Sequence, residues 1–326
     1  MNMKRMGSLL LGTLLLAGIL AGCGAKESET VRAGFLKGPT GIGAAHFMDR
    51  AEAGEFNENY EIMLESDASV IATAVMSKEL DIAAVPTNVA AALYQKTDGG
   101  VSILAVNTLG VLYVLEKGES VNEVSDLAGK TLYATGRASN PEYVLNYILE
   151  QNGLAAGEDV LVEYMTPDEI VARMLSEETG ICMLPVPYAT TLLLKDGGVR
   201  TALSLTEEWA AVGGGSVLTQ GCVIVRNGAV SDAAIADFLL AYGESIAYMS
   251  DGANLDGAAA LAVKYEIVGS EPVARAAIPA CNLTFITGAD ELKSGLEEYY
   301  EVLFAADPAS IGWAVPDDGI YYDYAG

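Results

Sequence analysis

Short apolar runs alternate with amphipathic stretches along most of the chain, and that alternation predicts strands and helices in turn. Residues 31–36 form a strand, the loop Lys37-Gly38-Pro39-Thr40-Gly41 follows, and a helix carries His46, Phe47 and Met48. Residues 60–64 give a second strand, and Ser66-Asp67-Ala68-Ser69 offers N-cap side chains for a helix running toward Lys78. A third strand spans 81–85, with Pro86-Thr87-Asn88 opening the next helix, and a fourth spans 101–106. The pattern then restarts with an extended segment at 111–115, a short helix and turn over 124–130, and a strand at 131–134. Asn140-Pro141 reads as an N-cap with proline at the first helical position, and Thr166-Pro167-Asp168-Glu169 as a capping box. Residues 180–184 are a strand, 187–194 begin a helix, and 221–225 are a strand that returns to the first series. From Ser231 the chain is largely helical; 291–304 is a last helix and 317–322 an extended end. Strands separated by helices of this length imply right-handed crossovers and a mostly parallel, buried sheet in each of two α/β lobes.

The first 22 residues stand apart. Met1 to Arg5 is short and basic, and 9–20 is an apolar run shorter than a membrane span, which reads as an export signal. It ends in Leu20-Ala21-Gly22-Cys23, the pattern of a bacterial lipobox, in which the cysteine receives a diacylglycerol thioether. Residues 23–30 are a polar tether. The expected division is 1–22 signal peptide, 23–30 tether, 31–110 first lobe, 111–222 second lobe, and 223–326 return to the first lobe with C-terminal helices.

Composition narrows the function. The 326 residues carry 44 acidic and 18 basic side chains, a formal charge of -26, and 51% are hydrophobic. So apolar a chain folds, and so negative a surface repels nucleic acid. Loss of residues 1–22 removes Lys4 and Arg5 and no acid, leaving 16 basic groups and a charge of -28. A single histidine, His46, leaves no room for a polyhistidine metal centre, and its place on a helix reads as partial burial. Cys182, Cys222 and Cys281 lack metal or redox spacing and read as buried thiols, with one disulfide among them left open.

Gly38-Pro39-Thr40-Gly41-Ile42-Gly43 follows a strand and opens a helix, but Ala44 and Ala45 replace the lysine and hydroxyl of a P-loop, and Thr40 holds the third place of a dinucleotide fingerprint. Gly213-Gly214-Gly215-Ser216 fails as a nucleophile elbow because Leu218 stands where the closing glycine belongs. What remains is a binding element found in both halves: strand, loop of glycine, proline and hydroxyls, then a helix N-terminus.

Export, lipobox, two α/β lobes, Glu79-Leu80-Asp81-Ile82-Ala83-Ala84 at a strand after a helix, and Val124-Ser125-Asp126-Leu127-Ala128-Gly129-Lys130 at the lobe transition resemble ABC-transporter solute-binding lipoproteins. The likeness covers about residues 31–320 and is narrowest to the sulfonate, nitrate and thiamine-precursor (pyrimidine) class. It implies a two-lobed, type II periplasmic-binding-protein-like fold with a ligand cleft between the lobes. It also implies a monomer without catalysis, cofactor or metal, held to the outer face of the cell membrane through lipidated Cys23, that closes on a small solute and delivers it to a permease and ATPase complex.

In that reading the solute meets the loops after the strands: Lys37, Thr40, Gly41, Asp67, Thr87 and Asn88 from the first lobe, and Thr135, Arg137, Asn140, Tyr143 and Tyr188 from the second. Lys37 and Arg137 lie on corresponding loops. Pointing inward they make a positive cleft for an anion; otherwise they are solvated loop cations. Asp67 receives an amine or caps a helix, Thr87 and Asn88 cap or bind, and Tyr143 and Tyr188 stack on a flat ring or pack. Two competing readings remain: an enzyme on the same scaffold, like pyrimidine-precursor synthases or a dehydratase, and a surface lipoprotein that signals to a partner protein.

Overall fold

The computed structural model describes residues 28–137, 139–212 and 216–323. The signal segment, Cys23 and Gly213 to Gly215 lie outside these residues. The first series runs β1 (Thr30–Leu36), α1 (Pro39–Glu52), β2 (Asn59–Glu65), α2 (Ala68–Met76), β3 (Ile82–Pro86), α3 (Thr87–Lys96) and β4 (Val101–Leu109). The second runs β5 (Leu112–Lys117), β6 (Thr131–Ala134), α4 (Asn140–Gln151), β7 (Leu161–Tyr164), α5 (Pro167–Ser176), β8 (Gly180–Pro185), α6 (Tyr188–Lys195), β9 (Val199–Ser204) and α7 (Leu205–Val212). The chain then returns through β10 (Thr219–Arg226), α8 (Asp232–Ser250), α9 (Leu255–Lys264), α10 (Glu271–Ala277), β11 (Leu283–Ile286) and α11 (Ala289–Ala306).

The strands form two sheets, ordered β11-β4-β10-β3-β1-β2 and β7-β6-β8-β5-β9. Both are mixed. In the first, β10 lies antiparallel between β3 and β4; in the second, β5 lies antiparallel between β8 and β9. The remaining pairs among β1, β2 and β3, and among β6, β7 and β8, are parallel. Leaving β11 aside, the two sheets have one plan, and the reversed strand in each is the first one entered after the chain crosses from the other lobe. Helix-linked crossovers account for the parallel strands, whereas β5 and β10 arrive directly across the seam and need not obey that rule.

Apolar faces explain the layers. Phe35 of β1, Phe47 of α1 and Phe238 and Tyr242 of α8 form a buried aromatic stack on one face of the first sheet, with Phe35 and Tyr242 nearly parallel at 6.0 Å between ring centres. Burying side chains of this size contributes roughly 1.5–3 kcal/mol each, enough to fix α1 and α8 there. On the other face one apolar cluster joins α2, α3 and α11 to Val114, Leu132, Val144 and Ile148 in the second lobe, and it includes Trp209 of α7.

Two sequence expectations change. Asn140 is not the N-cap of α4; Ser139, extended at φ -144° and ψ 177°, takes that place, and Asn140 is the first helical residue. The tail is not extended throughout, because Asp317 accepts from the Gly319 N–H at 3.0 Å and turns Asp318–Ile320 into a 3-10 turn before Tyr321 bridges to Ile103. The Thr166 capping box is formed on both sides, with Glu169 Oε2 accepting from the Thr166 N–H at 2.9 Å. Cys182, Cys222 and Cys281 are free and buried.

Candidate functional site

Four helices begin where a central strand ends: α1 after β1, α3 after β3, α4 after β6 and α6 after β8. None of the four has a side-chain cap among the described residues, since Gly38, Pro86, Ser139 and Pro187 make no capping hydrogen bond. The helices after the outer strands differ. Asp67 caps α2 through the Ser69 N–H at 2.8 Å, and Thr166 caps α5. Each uncapped terminus presents free N–H groups and about half a positive charge. Gly38 makes the turn into α1 at φ 113°, a conformation that disfavours any side chain.

Buried polar atoms without a hydrogen-bond partner among the described residues gather at the same strand ends. Eight of the eleven are there: Thr87 Oγ1 and Asn88 Oδ1 on α3, Asn107 Oδ1 and Thr108 Oγ1 on β4, Thr219 Oγ1 and Gln220 Nε2 on β10, Asn140 Nδ2 on α4 and Thr206 Oγ1 on α7; His46 Nδ1, Asn146 Oδ1 and Tyr164 OH lie away from them. Thr87 Oγ1 does face the Cys222 thiol, which bonds it too weakly to count as a full partner. Leaving such atoms unmet costs roughly 1–3 kcal/mol apiece, so their concentration marks a place where something else supplies the partners. Gly221 on β10 makes the crowding possible: a Cβ there would lie 2.7 Å from both Asn107 Oδ1 and Thr40 Cγ2.

Neighbouring tyrosines on α11 bring the lobes together. Tyr299 OH donates to Asn140 Oδ1 at 2.5 Å, and Tyr300 OH donates to the Thr87 carbonyl at 3.1 Å. The first turns of α3 and α4, one from each lobe, are therefore within reach of adjacent residues on one helix. Burial pushes the pKa of both tyrosines up and keeps them neutral donors. Val186, in the loop after β8, packs into the aromatic cluster of the first lobe, and its N–H donates to the Val111 carbonyl at 3.1 Å. The crossing segments also touch, for a Cβ on Gly110 would overlap Thr206 Oγ1.

The residues expected from sequence divide accordingly. Thr40, Gly41, Thr87, Asn88, Thr135 and Asn140 lie at the converging strand ends; Thr87, Asn88, Thr135 and Asn140 are buried. Thr40 donates to the Leu36 carbonyl at 3.1 Å. Lys37 and Arg137 are exposed, and the Arg137 guanidinium lies 6.0 Å from the Tyr164 ring centre. Asp67 is exposed and acts as a cap, with the Ser69 hydroxyl and N–H holding its pKa below the usual value. Tyr188 is half-buried against the second-lobe core, and Tyr143 lines an outer hollow of about 570 Å³ with Glu142, Asn146 and Asp307. That hollow holds one unpartnered atom, Asn146 Oδ1, and another of about 300 Å³, lined by Tyr113, Val186, Leu193 and Ala280, holds none. The strand ends have the better claim to a polar solute, because the larger hollow is walled by carboxylates and the smaller is apolar. His46 stacks on Tyr248 at 4.1 Å, and burial followed by Arg50 lowers its pKa.

Asn107, Thr108, Thr206, Thr219 and Gln220 were not expected from sequence. A signal existed at Asn107-Thr108, where polar side chains close an apolar run, but register is needed to place them opposite Gly221.

Residues 24–211 match the profile of the NMT1-like family. A search of curated proteins finds no significant match. Among solved structures the chain resembles an ABC transporter protein from Parabacteroides distasonis, with a TM-score of 0.75 at 19% identity over 91% of this chain and 99% of the other. It also resembles the periplasmic aliphatic sulphonate binding protein SsuA of Escherichia coli, at 0.69 and 18% over 90% and 96%. The periplasmic nitrate-binding protein NrtA of Synechocystis PCC 6803 follows at 0.59 and 13% over 91% and 92%. At these identities the likeness establishes a two-lobed periplasmic-binding-protein-like fold.

Proposed function

Because the chain belongs to the NMT1-like family, we propose that it is the solute-binding component of an ABC importer, lipid-anchored outside the cytoplasm and without catalytic activity. The observation that carries this reading is the set of eight unpartnered buried polar atoms between four uncapped helix N-termini. Hydroxyls, amides and helix N–H groups bind a small polar solute and give it no nucleophile. The helix termini suit an anionic or strongly dipolar group even though Lys37 and Arg137 are exposed to solvent. Closure of the lobes about the segments that join them then presents both lobes to a permease.

The test is a thermal-shift screen of the mature protein against sulfonates, pyrimidines, amino acids, carboxylates and nitrate, followed by calorimetry. One class is expected to raise the melting temperature, since a solute held only by the folded form stabilises it. No shift with any class, together with tight binding of a partner protein to the free form, would overturn the reading in favour of a surface sensor.

A further inference from the structure

The amide of Asn88 has only one orientation available to it. Its Nδ2 donates to the Ser310 carbonyl at 3.3 Å, and a carbonyl oxygen only accepts, so the two ends of the amide cannot be exchanged. Asn107 and Asn140 differ, because their partners are the hydroxyls of Tyr242 and Tyr299, which both donate and accept. Asn88 Oδ1 is thus a fixed acceptor. It is buried, on a side chain 6% exposed, without a donor among the described residues, at the uncapped N-terminus of α3. Helix N–H groups there welcome an anion, yet a bare oxyanion has no hydrogen to offer Asn88.

From this conflict we infer that Asn88 is a specificity-determining residue, and that the solute carries an N–H or O–H donor beside its acceptor or anionic group. This rests on the binding role proposed above and narrows its solute class. Nitrate or an alkyl sulfonate satisfies the helix terminus and leaves Asn88 unmet; an amino, amide or hydroxyl substituent satisfies both. Ser310, in the 3-10 turn Pro308–Ile311 that packs against α3, sets the amide and so contributes to selectivity without touching the solute.

Two matched series test the inference by calorimetry: taurine, isethionate and ethanesulfonate, and 4-aminopyrimidine against 4-methylpyrimidine. The donor-bearing member of the series that binds is expected to bind at least ten-fold more tightly than its donor-free partner. Asn88→Leu, of similar volume but with no acceptor, is expected to reduce that preference to near unity while the ligand-free melting temperature reports whether the fold survives. Equal affinity within the bound series, or an unchanged preference in Asn88→Leu, would overturn it. A ligand-free crystal structure at high resolution gives an independent reading: a water donating to Asn88 Oδ1 is expected, and a dry contact there, or an amide turned the other way, would refute the inference. Failure of the binding role would show differently, as no response to either series or to the wider screen.

Discussion

Gly221→Ala puts one methyl group where the two sides of the first-lobe site meet. The new carbon would lie 2.7 Å from Asn107 Oδ1, 2.7 Å from Thr40 Cγ2 and 3.3 Å from Thr108 Cβ. Ordinary contacts between such atoms are about 3.5–4.0 Å, so two neighbours must each retreat by about 0.8 Å or more. Neither is free to do so. Asn107 is tied to Tyr242 OH at 2.9 Å and Thr40 to the Leu36 carbonyl at 3.1 Å. Overpacking of this kind costs roughly 1–3 kcal/mol, which for a chain of this size lowers the melting temperature by roughly 2–8 °C. Displacing Thr40 and Asn107 should also weaken solute binding by about ten-fold or more, equivalent to about 1.4 kcal/mol. Gly295→Ala is the internal comparison. It lies within α11 with nothing within 4 Å of its added Cβ, and should stabilise by roughly 0.5–1 kcal/mol through helix propensity. Differential scanning calorimetry and titration calorimetry on both variants decide the matter: a Gly221→Ala protein that melts and binds like the parent would refute the crowding argument.

Asp81, buried just before β3, pairs with Arg32 at 2.6 Å and Arg226 at 2.8 Å; Asp81→Ala should cost roughly 2–4 kcal/mol in chemical denaturation, whereas Lys264→Ala, at an exposed pair screened by solvent, should leave the midpoint nearly unchanged. Burial alone would raise the Asp81 pKa, but hydrogen bonds from Arg32 and the charge of Arg226 hold it below the usual carboxylate value. Its contribution is therefore fully present above about pH 4 and is lost as pH falls through the depressed folded pKa, a loss that acid titration of wild type should show and Asp81→Asn should largely lack. Trp209 is buried 5.6 Å from Tyr299, whereas Trp313 is exposed, so in Trp313→Phe a saturating solute should change Trp209 emission; an unchanged spectrum would detach α7 from closure. Burial pushes the Cys182 and Cys281 thiols up to about 12 and raises Cys222 as well, so none should react with a thiol reagent at pH 8 until the chain is unfolded.

Periodicity and punctuation made much of the fold legible. Pro167 and Glu169 announce α5, and the runs at 31–36 and 81–85 are strands whatever surrounds them. Four elements were not anticipated: β7, β9, β11 and α7. Two of these, β7 and β11, are four-residue edge strands, and β9 reads Val-Arg-Thr-Ala-Leu-Ser, with too little apolar contrast to stand out. The reversal of β5 and β10 depends on pairing across the chain, which local pattern does not carry. At the site, loop position singled out Thr87, Asn88 and Asn140, but their present partners come from α11 and Ser310, far along the sequence. The cations had strong chemical appeal and no burial to support it, while Asp67 had a local backbone partner two residues away and took it.

The placement of β10 between β3 and β4 bears on the order of folding. Gly221 sits opposite both Pro86 and Thr108, so the middle of the first sheet cannot close until a strand made much later has arrived. The second sheet draws every strand from the uninterrupted stretch 112–204 and has the shorter loops to close. It should organise first and serve as the platform on which the first lobe completes itself. For a chain exported N-terminus first, as proposed, a leading segment unable to finish its own sheet is an advantage, because it stays threadable until the rest of the protein has passed.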